Sequence, residues 1–232
     1  MTQSTRSPDA AVTPRTPVPR FDRIAKPYRW LEYLSFGPLL QRTRTHWLGA
    51  VGACRHALVL GDGDGRFTAA LLAAHPGLRV HAVDGSAAML RLLRARCSAY
   101  TERLTTEQTD LRTWTPAPHA RYDLIATHFF LDCLTSQEAS DLAQRFTPAL
   151  TRQATWLVSD FAIPATHYGR WIAAPVVGFL YRAFRMLTGL RVRQLPDHAA
   201  ALSLAGWSLK SARQHARGLL ISELWKLPQD SR

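Results

Sequence analysis

Cysteine, lysine and acidic residues are all scarce in this sequence. Its three cysteines, Cys54, Cys97 and Cys133, lie far apart with no CxxC, and its nine histidines show no zinc-ligand spacing. That excludes a disulfide framework and gives no metal site. The thiols are expected to be buried and free, in a reducing cytoplasmic compartment. Long hydrophobic runs are missing too. The longest, Trp171 to Tyr181, is broken by Pro175 and Gly178 and reaches about half the ~20 residues of a membrane-spanning helix. The opening residues, MTQSTRSPDAAVTPRTPVPR, hold four prolines and no apolar h-region. Residues 1–20 are therefore expected to be a disordered tail and not a secretory signal.

Lysine occurs only at Lys26, Lys210 and Lys226, so the net charge of +12 is carried by arginine. Basic proteins often meet nucleic acid or anionic membrane. Here the arginines are scattered, with no adjacent basic run and no aromatic–basic RNA motif. An Ala- and Arg-rich usage accounts for that spread, and a nucleic-acid partner is not expected.

What is present is a hydrophobic fraction of 47%, enough for one sizeable core. From His56 short apolar runs alternate with helix-length stretches. HALVL reads as a buried strand ended by glycines, FTAALLAAH as a helix stopping at Pro76, and LRVHAVD as a second strand ending at Asp84. Ser86 caps a helix AAMLRLLRARC, whose Met89, Leu90 and Leu93 share a face. A weaker strand near Leu104–Gln108 leads to Asp110, and YDLIATHFF is a fourth strand. Thr135 or Ser136 caps a helix to about Leu150, ATWLVSDF is a fifth strand, and a helix spans Pro196 to Ala205. WSLKSA and GLLISELW follow without a helix-length gap, so they pair antiparallel. The fold expected is α/β, a Rossmann-like, doubly wound, seven-stranded, mostly parallel sheet with a C-terminal antiparallel hairpin. Residues 21–55 form an N-terminal helical cap, 56–228 the main domain, and about 162–194 a helical lid insertion.

Ligands in such sheets sit at the carboxyl ends of the strands. There the sequence reads VLGDGDG, and Gly61, Gly63 and Gly65 let the backbone turn sharply and approach a ligand. Asp84 ends the next strand about twenty residues on, placed to bond ribose hydroxyls. Dinucleotide binders want G-x-G-x-x-G; here the third small position is Arg66, and Asp62 and Asp64 bring negative charge towards any pyrophosphate. A cationic sulfonium suits those carboxylates better. An NAD-linked oxidoreductase stays open as the alternative.

Taken together, the chain resembles the class I S-adenosylmethionine (SAM)-dependent methyltransferases over roughly residues 21–225. VLGDGDG resembles their glycine motif, AVDGSAAML their ribose motif, commonly VDxSxxML, and TDL around Asp110 their adenine-side motif. The antiparallel hairpin matches their reversed last strand. The resemblance implies SAM as cofactor. Gly61, Asp62, Gly63 and Gly65 would line its methionine end, Asp84 its ribose, and Gly85, Ser86 and Met89 the ribose and adenine. Asp110 and Leu111 would bond the adenine. The chain departs from the family at Val59, where an acidic residue is usual; Asp62 or Asp64 would have to substitute, and an inactive SAM-binding scaffold also stays open. FDRIAKPYRW resembles, more loosely, the FDxIAxxYD helix of ubiquinone/menaquinone-biosynthesis C-methyltransferases, which implies that Tyr28 closes over the cofactor.

Methyl transfer is an in-line displacement that needs alignment and desolvation. THFFLDC, leaving the fourth strand, is not N/D-P-P-Y, which argues against nucleobase or glutamine amide acceptors. Thr127 and His128 lie beside the expected sulfonium. His128 serves either as a base or as a histidine bonded near the cofactor. Asp132 either caps the next helix or faces the site. Asp160 either orients an acceptor or ends its strand. The insertion mixes Tyr168, Trp171, Phe179 and Tyr181 with Arg170, Arg182 and Arg185. It reads as a lid over a small, lipophilic or aromatic acceptor, as a peripheral membrane contact, or as two helices packed on the sheet edge.

Overall fold

The apolar run His56–Leu60 forms β1 at the centre of a seven-stranded sheet. The computed structural model describes residues 37–164, 166–167, 169–178 and 195–228. The remaining strands are β2 (Arg79–Asp84), β3 (Leu104–Gln108), β4 (Tyr122–His128), β5 (Leu150–Phe161), β6 (Ser208–His215) and β7 (Leu220–Lys226). Their order is β3-β2-β1-β4-β5-β7-β6, parallel except for β7, which runs antiparallel to both neighbours. Strand order reverses between β1 and β4, and the crevice of an open parallel sheet lies at that point.

Side chains alternate across the sheet with period two, so each strand feeds two cores. Ala57, Val59, Val80, Ala82, Leu124, Ala126 and Leu157 face helices α2 (Arg66–Ala74) and α3 (Ala87–Arg96). Leu58, Leu60, Ile125, Trp156, Val158 and Trp225 face α4 (Ser136–Phe146) and α5 (His198–Leu204). Trp156 and Trp225 lie opposite each other on β5 and β7 and are both sequestered, and Trp156 meets Trp207 edge to face at 5.1 Å. Helix α1 (Gly37–Thr45) docks on the α2 side, where the Ser159 hydroxyl donates to the Thr43 carbonyl at 3.2 Å.

Thr135, one of the two expected caps, caps α4 in a reciprocal capping box with Glu138, and Asp132 takes no part. Two boundaries differ from those expected. The helix stops at Phe146 because Pro148 lies in the tight turn Thr147–Ala149. Strand β5 begins at Leu150, four residues early, because polar Thr151, Arg152 and Gln153 extend it beyond the core. Of the expected cap and lid, the structure describes α1, the turn Leu48–Val51 and a π-helical turn Gly169–Ala173. The expected tail, Tyr28 and most of the insertion's aromatics lie outside the described residues. No described helix is long and apolar enough to cross a membrane.

Gly65 fixes how closely α2 and α3 approach. Its φ is +79°, and a Cβ there would sit 2.7 Å from Leu93 Cγ and 2.9 Å from Leu93 Cα. Strain and overlap with helix backbone add, so Gly65→Ala is expected to destabilise the fold by about 2–4 kcal/mol. Urea unfolding checks this, and a midpoint unchanged from the parent contradicts it.

Candidate functional site

The turn between β1 and α2 carries three glycines with positive φ, Gly61, Gly63 and Gly65. Each faces something different. A Cβ on Gly61 would strike the Phe130 ring at 2.6 Å. On Gly63 it would meet only Met89 Sδ, at 3.8 Å. Gly61 and Gly65 thus serve packing, and Gly63 has room for ordinary contact. Its N–H donates to Asp84 Oδ2 at 3.3 Å, while Asp84 Oδ1 accepts from the Ser86 N–H at 2.8 Å. The carboxylate at the end of β2 therefore joins the glycine turn to the start of α3. Ser86 caps that helix through the Met89 N–H and is enclosed, so its hydroxyl acts on the helix. Gly85 stands beside the Thr109 carbonyl with room for ordinary contact.

The two acids inside the turn are both engaged by protein groups. Asp62 accepts from the Phe67 N–H at 3.3 Å, the Thr68 N–H at 2.8 Å and the Thr68 hydroxyl at 2.7 Å. Burial pushes its carboxyl up to about 6, while the Thr68 bonds and Arg44 pull the other way. Its side chain thus occupies the N-terminus of α2 and does not line the open side of the loop. Val59, where the family usually has an acidic residue, is packed under α2. Asp64 pairs with Arg66 at 3.2 Å and with Arg96 at 2.7 Å.

Beyond β3, the Asp110 carboxylate accepts from the Arg112 N–H at 3.0 Å, and its carbonyl accepts from the Thr113 and Trp114 N–H groups. The Leu111 side chain is in the core. Arg145 holds this turn by donating to the Leu111 and Arg112 carbonyls.

The candidates on β4 and β5 part company. Thr127 is fully buried and accepts from the Trp156 indole at 3.0 Å, a core contact on the α4 side. His128, one residue on, points to the α2 side, where its ring lies 4.1 Å from that of Phe67. Asp160 lies on the α4 side in line with Val158, beside Asp132. His128 and Asp160, expected at one mouth, are therefore on opposite faces of the sheet and cannot act as a pair. Burial, then repulsion from Asp132, pushes the Asp160 carboxyl well above its usual range; burial carries Asp132 up to about 6. Glu223 stands nearby with His198 Nε2 and the Trp225 indole, each 2.9 Å from its Oε2. Among the described residues no group of His, Cys, Asp and Glu is arranged to hold a metal ion.

Three residues at this end of the sheet were not singled out from sequence. Arg44 on α1 is buried with its guanidinium 5.0 Å from the Phe129 ring centroid. Phe129 has a φ of +54°, rare for a bulky residue. Phe130 closes over Gly61. Nothing in a single sequence links α1 to the end of β4, and the strain at Phe129 has no sequence signal.

Residues 57–153 match the family model described as "Methyltransferase domain". A comparison with curated proteins finds no match. Among solved structures the mitomycin 7-O-methyltransferase MmcR is similar with a TM-score of 0.68 and 17% identity, over 90% of this chain and 60% of its own. For the pyocyanin biosynthetic protein PhzM the values are 0.64 and 16%, over 90% and 62%. The N-methyltransferase NodS from Bradyrhizobium japonicum, in complex with S-adenosyl-L-homocysteine, gives 0.66 and 14%, over 90% and 96%. The chain spans about three-fifths of the length of the first two. At these identities the likeness is one of fold.

The Asp160 pocket carries a pH signature. A carboxyl held protonated by the fold stabilises it fully below the ordinary value of 3.8, and that stabilisation is lost as pH rises towards the folded value. Asp160→Asn is expected to lose less stability than the parent between about pH 5 and pH 8. Urea midpoints across that range read the difference, and parallel curves contradict it.

Proposed function

We propose that the chain, whose residues 57–153 match a methyltransferase-domain model, is a class I SAM-dependent methyltransferase that takes SAM as cofactor and transfers its methyl group to a small-molecule acceptor. The observation that carries this reading is the Asp84 carboxylate, bonded at once to Gly63 and Ser86. That carboxylate ends β2 beside Gly63, the loop glycine with room for ordinary contact, where two ribose hydroxyls would meet it. Gly63 gives the backbone close approach, Met89 walls the nucleoside, and Asp110 with the Leu111 N–H meets the adenine edge. SAM supplies an electrophilic methyl group on a positively charged sulfur.

The charge of the loop also supports this reading over a dinucleotide. A pyrophosphate needs the free N–H groups of a helix N-terminus, and in α2 those of Phe67 and Thr68 are bonded to Asp62. A diphosphate entering there meets an anion already in place.

The remaining residues align and desolvate. Phe129, Phe130 and Phe161 are half-buried at the ends of β4 and β5, and Ile163 and Trp171 are exposed beside them in sequence, Trp171 at 73%. An apolar or aromatic acceptor fits such a rim. Trp171 next to Arg170 also suits brief contact with a membrane surface that delivers a lipophilic acceptor. His128 is the group on the α2 face able to take a proton; Asp160 is enclosed on the other face.

Calorimetry with SAM and with NAD tests the reading: SAM binds and NAD does not. Asp84→Ala is expected to weaken SAM binding about thirtyfold, the loss of roughly 2 kcal/mol of charge-assisted hydrogen bonds. NAD binding, or an affinity for SAM that ignores the substitution, overturns it.

A further inference from the structure

His128 is 4% exposed, and neither of its ring nitrogens has a hydrogen-bond partner. Leaving a buried polar group unsatisfied costs about 1–3 kcal/mol, so an imidazole in this state marks a place that a ligand atom completes. Burial first, and Arg44 second, hold it well below its ordinary value. It is a neutral imidazole with both nitrogens unengaged, able to accept a proton without first losing one.

Its surroundings say what would bring that proton. The Phe67 ring lies tilted against the imidazole, the ring centroids 4.1 Å apart and the planes at 59°. Phe129 follows directly, strained at φ +54° and held there by its N–H donating to the Ser159 carbonyl at 2.7 Å. Such outliers persist where the surroundings impose them, and they cluster at functional sites. The Phe129 ring packs against Phe161 at 5.3 Å, with the Arg44 guanidinium on it. Among the described residues, Arg44 from α1 is the charged group that acts on His128, and Asp62 of the glycine turn, itself near Arg44, has its oxygens bonded to α2. Asp132 and Asp160 are on the other side of the sheet. An ammonium ion is repelled by Arg44 here, whereas an oxyanion is stabilised by it. Flat aromatic rings find offset or edge contacts with the phenylalanines, each about 0.5–1.5 kcal/mol beyond simple burial.

We propose that the acceptor is an aromatic hydroxyl compound, a phenol, with His128 accepting the hydroxyl proton and Arg44 stabilising the oxygen left behind. This rests on the methyltransferase reading and narrows it to one substrate class. The O–H proton passes to an imidazole nitrogen, and the oxygen keeps the electron pair of that bond. The phenolate oxygen then bonds to the methyl carbon of SAM while the C–S bond breaks, its electron pair remaining on sulfur. An aryl methyl ether and S-adenosylhomocysteine leave, and the imidazolium returns its proton to water.

The test has a binding arm and a turnover arm. With protein saturated by S-adenosylhomocysteine, the absorbance of 4-nitrophenol reports its ionisation. The bound phenol is expected to ionise at least one pH unit, about tenfold in acidity, below the free one, and His128→Asn is expected to reduce the shift to the part Arg44 supplies while S-adenosylhomocysteine affinity stays within about twofold. With labelled SAM at pH 8, His128→Asn is expected to slow 4-methylphenol about a hundredfold and to spare 4-nitrophenol, which is already ionised. An equal loss on both phenols, no spectral shift, or label entering an aniline nitrogen in preference to a phenol oxygen overturns the inference alone. Failure of calorimetry to detect SAM or S-adenosylhomocysteine overturns the methyltransferase reading and this inference with it.

Discussion

One hydrogen bond organises this end of the molecule, that from the Gly63 N–H to the Asp84 carboxylate. It joins the turn after the first strand to the end of the second, two segments 21 residues apart. The turn can reach Asp84 only because its three glycines sit at positive φ and because Gly65 lets α2 approach α3 to within a Cβ's width. Asp62 holds the far side of the same turn to α2. The loop is therefore clamped from two sides by carboxylates, one of which faces the crevice and one of which does not.

That division settles what the aspartates of the turn mean chemically. Read as a string, GDGDG presents two negative charges to a ligand. In the fold, Asp62 is turned into the start of a helix and Asp64 lies between two arginines. The same anion that occupies the helix N-terminus also ties the loop to α2. A single residue thus bears on cofactor choice and on loop order together.

The sheet was legible in the sequence because its strands are short apolar runs bounded by Gly, Asp and Pro, and β1, β3 and the cap of α3 fall where pattern and capping chemistry put them. The start of β5 was not, because three polar residues there carry no apolar signal. The candidate site divides the same way. Gly63, Asp84 and Asp110 stand out as motif residues near strand ends. Arg44 does not, since only tertiary packing brings α1 to β4. Adjacent residues of a strand face opposite sides, which separates Thr127 from His128. Assigning His128 and Asp160 to their separate faces needed the observed register.

On the function proposed above, the crevice between Gly63 and Asp84 holds the nucleoside of SAM. Crystals grown with S-adenosylhomocysteine put this to the test. The claim requires both ribose hydroxyls within about 2.7–3.2 Å of the Asp84 carboxylate, with the Gly63 backbone against the sugar. A well-ordered ligand bound elsewhere, or density absent from this crevice at saturating ligand, contradicts it.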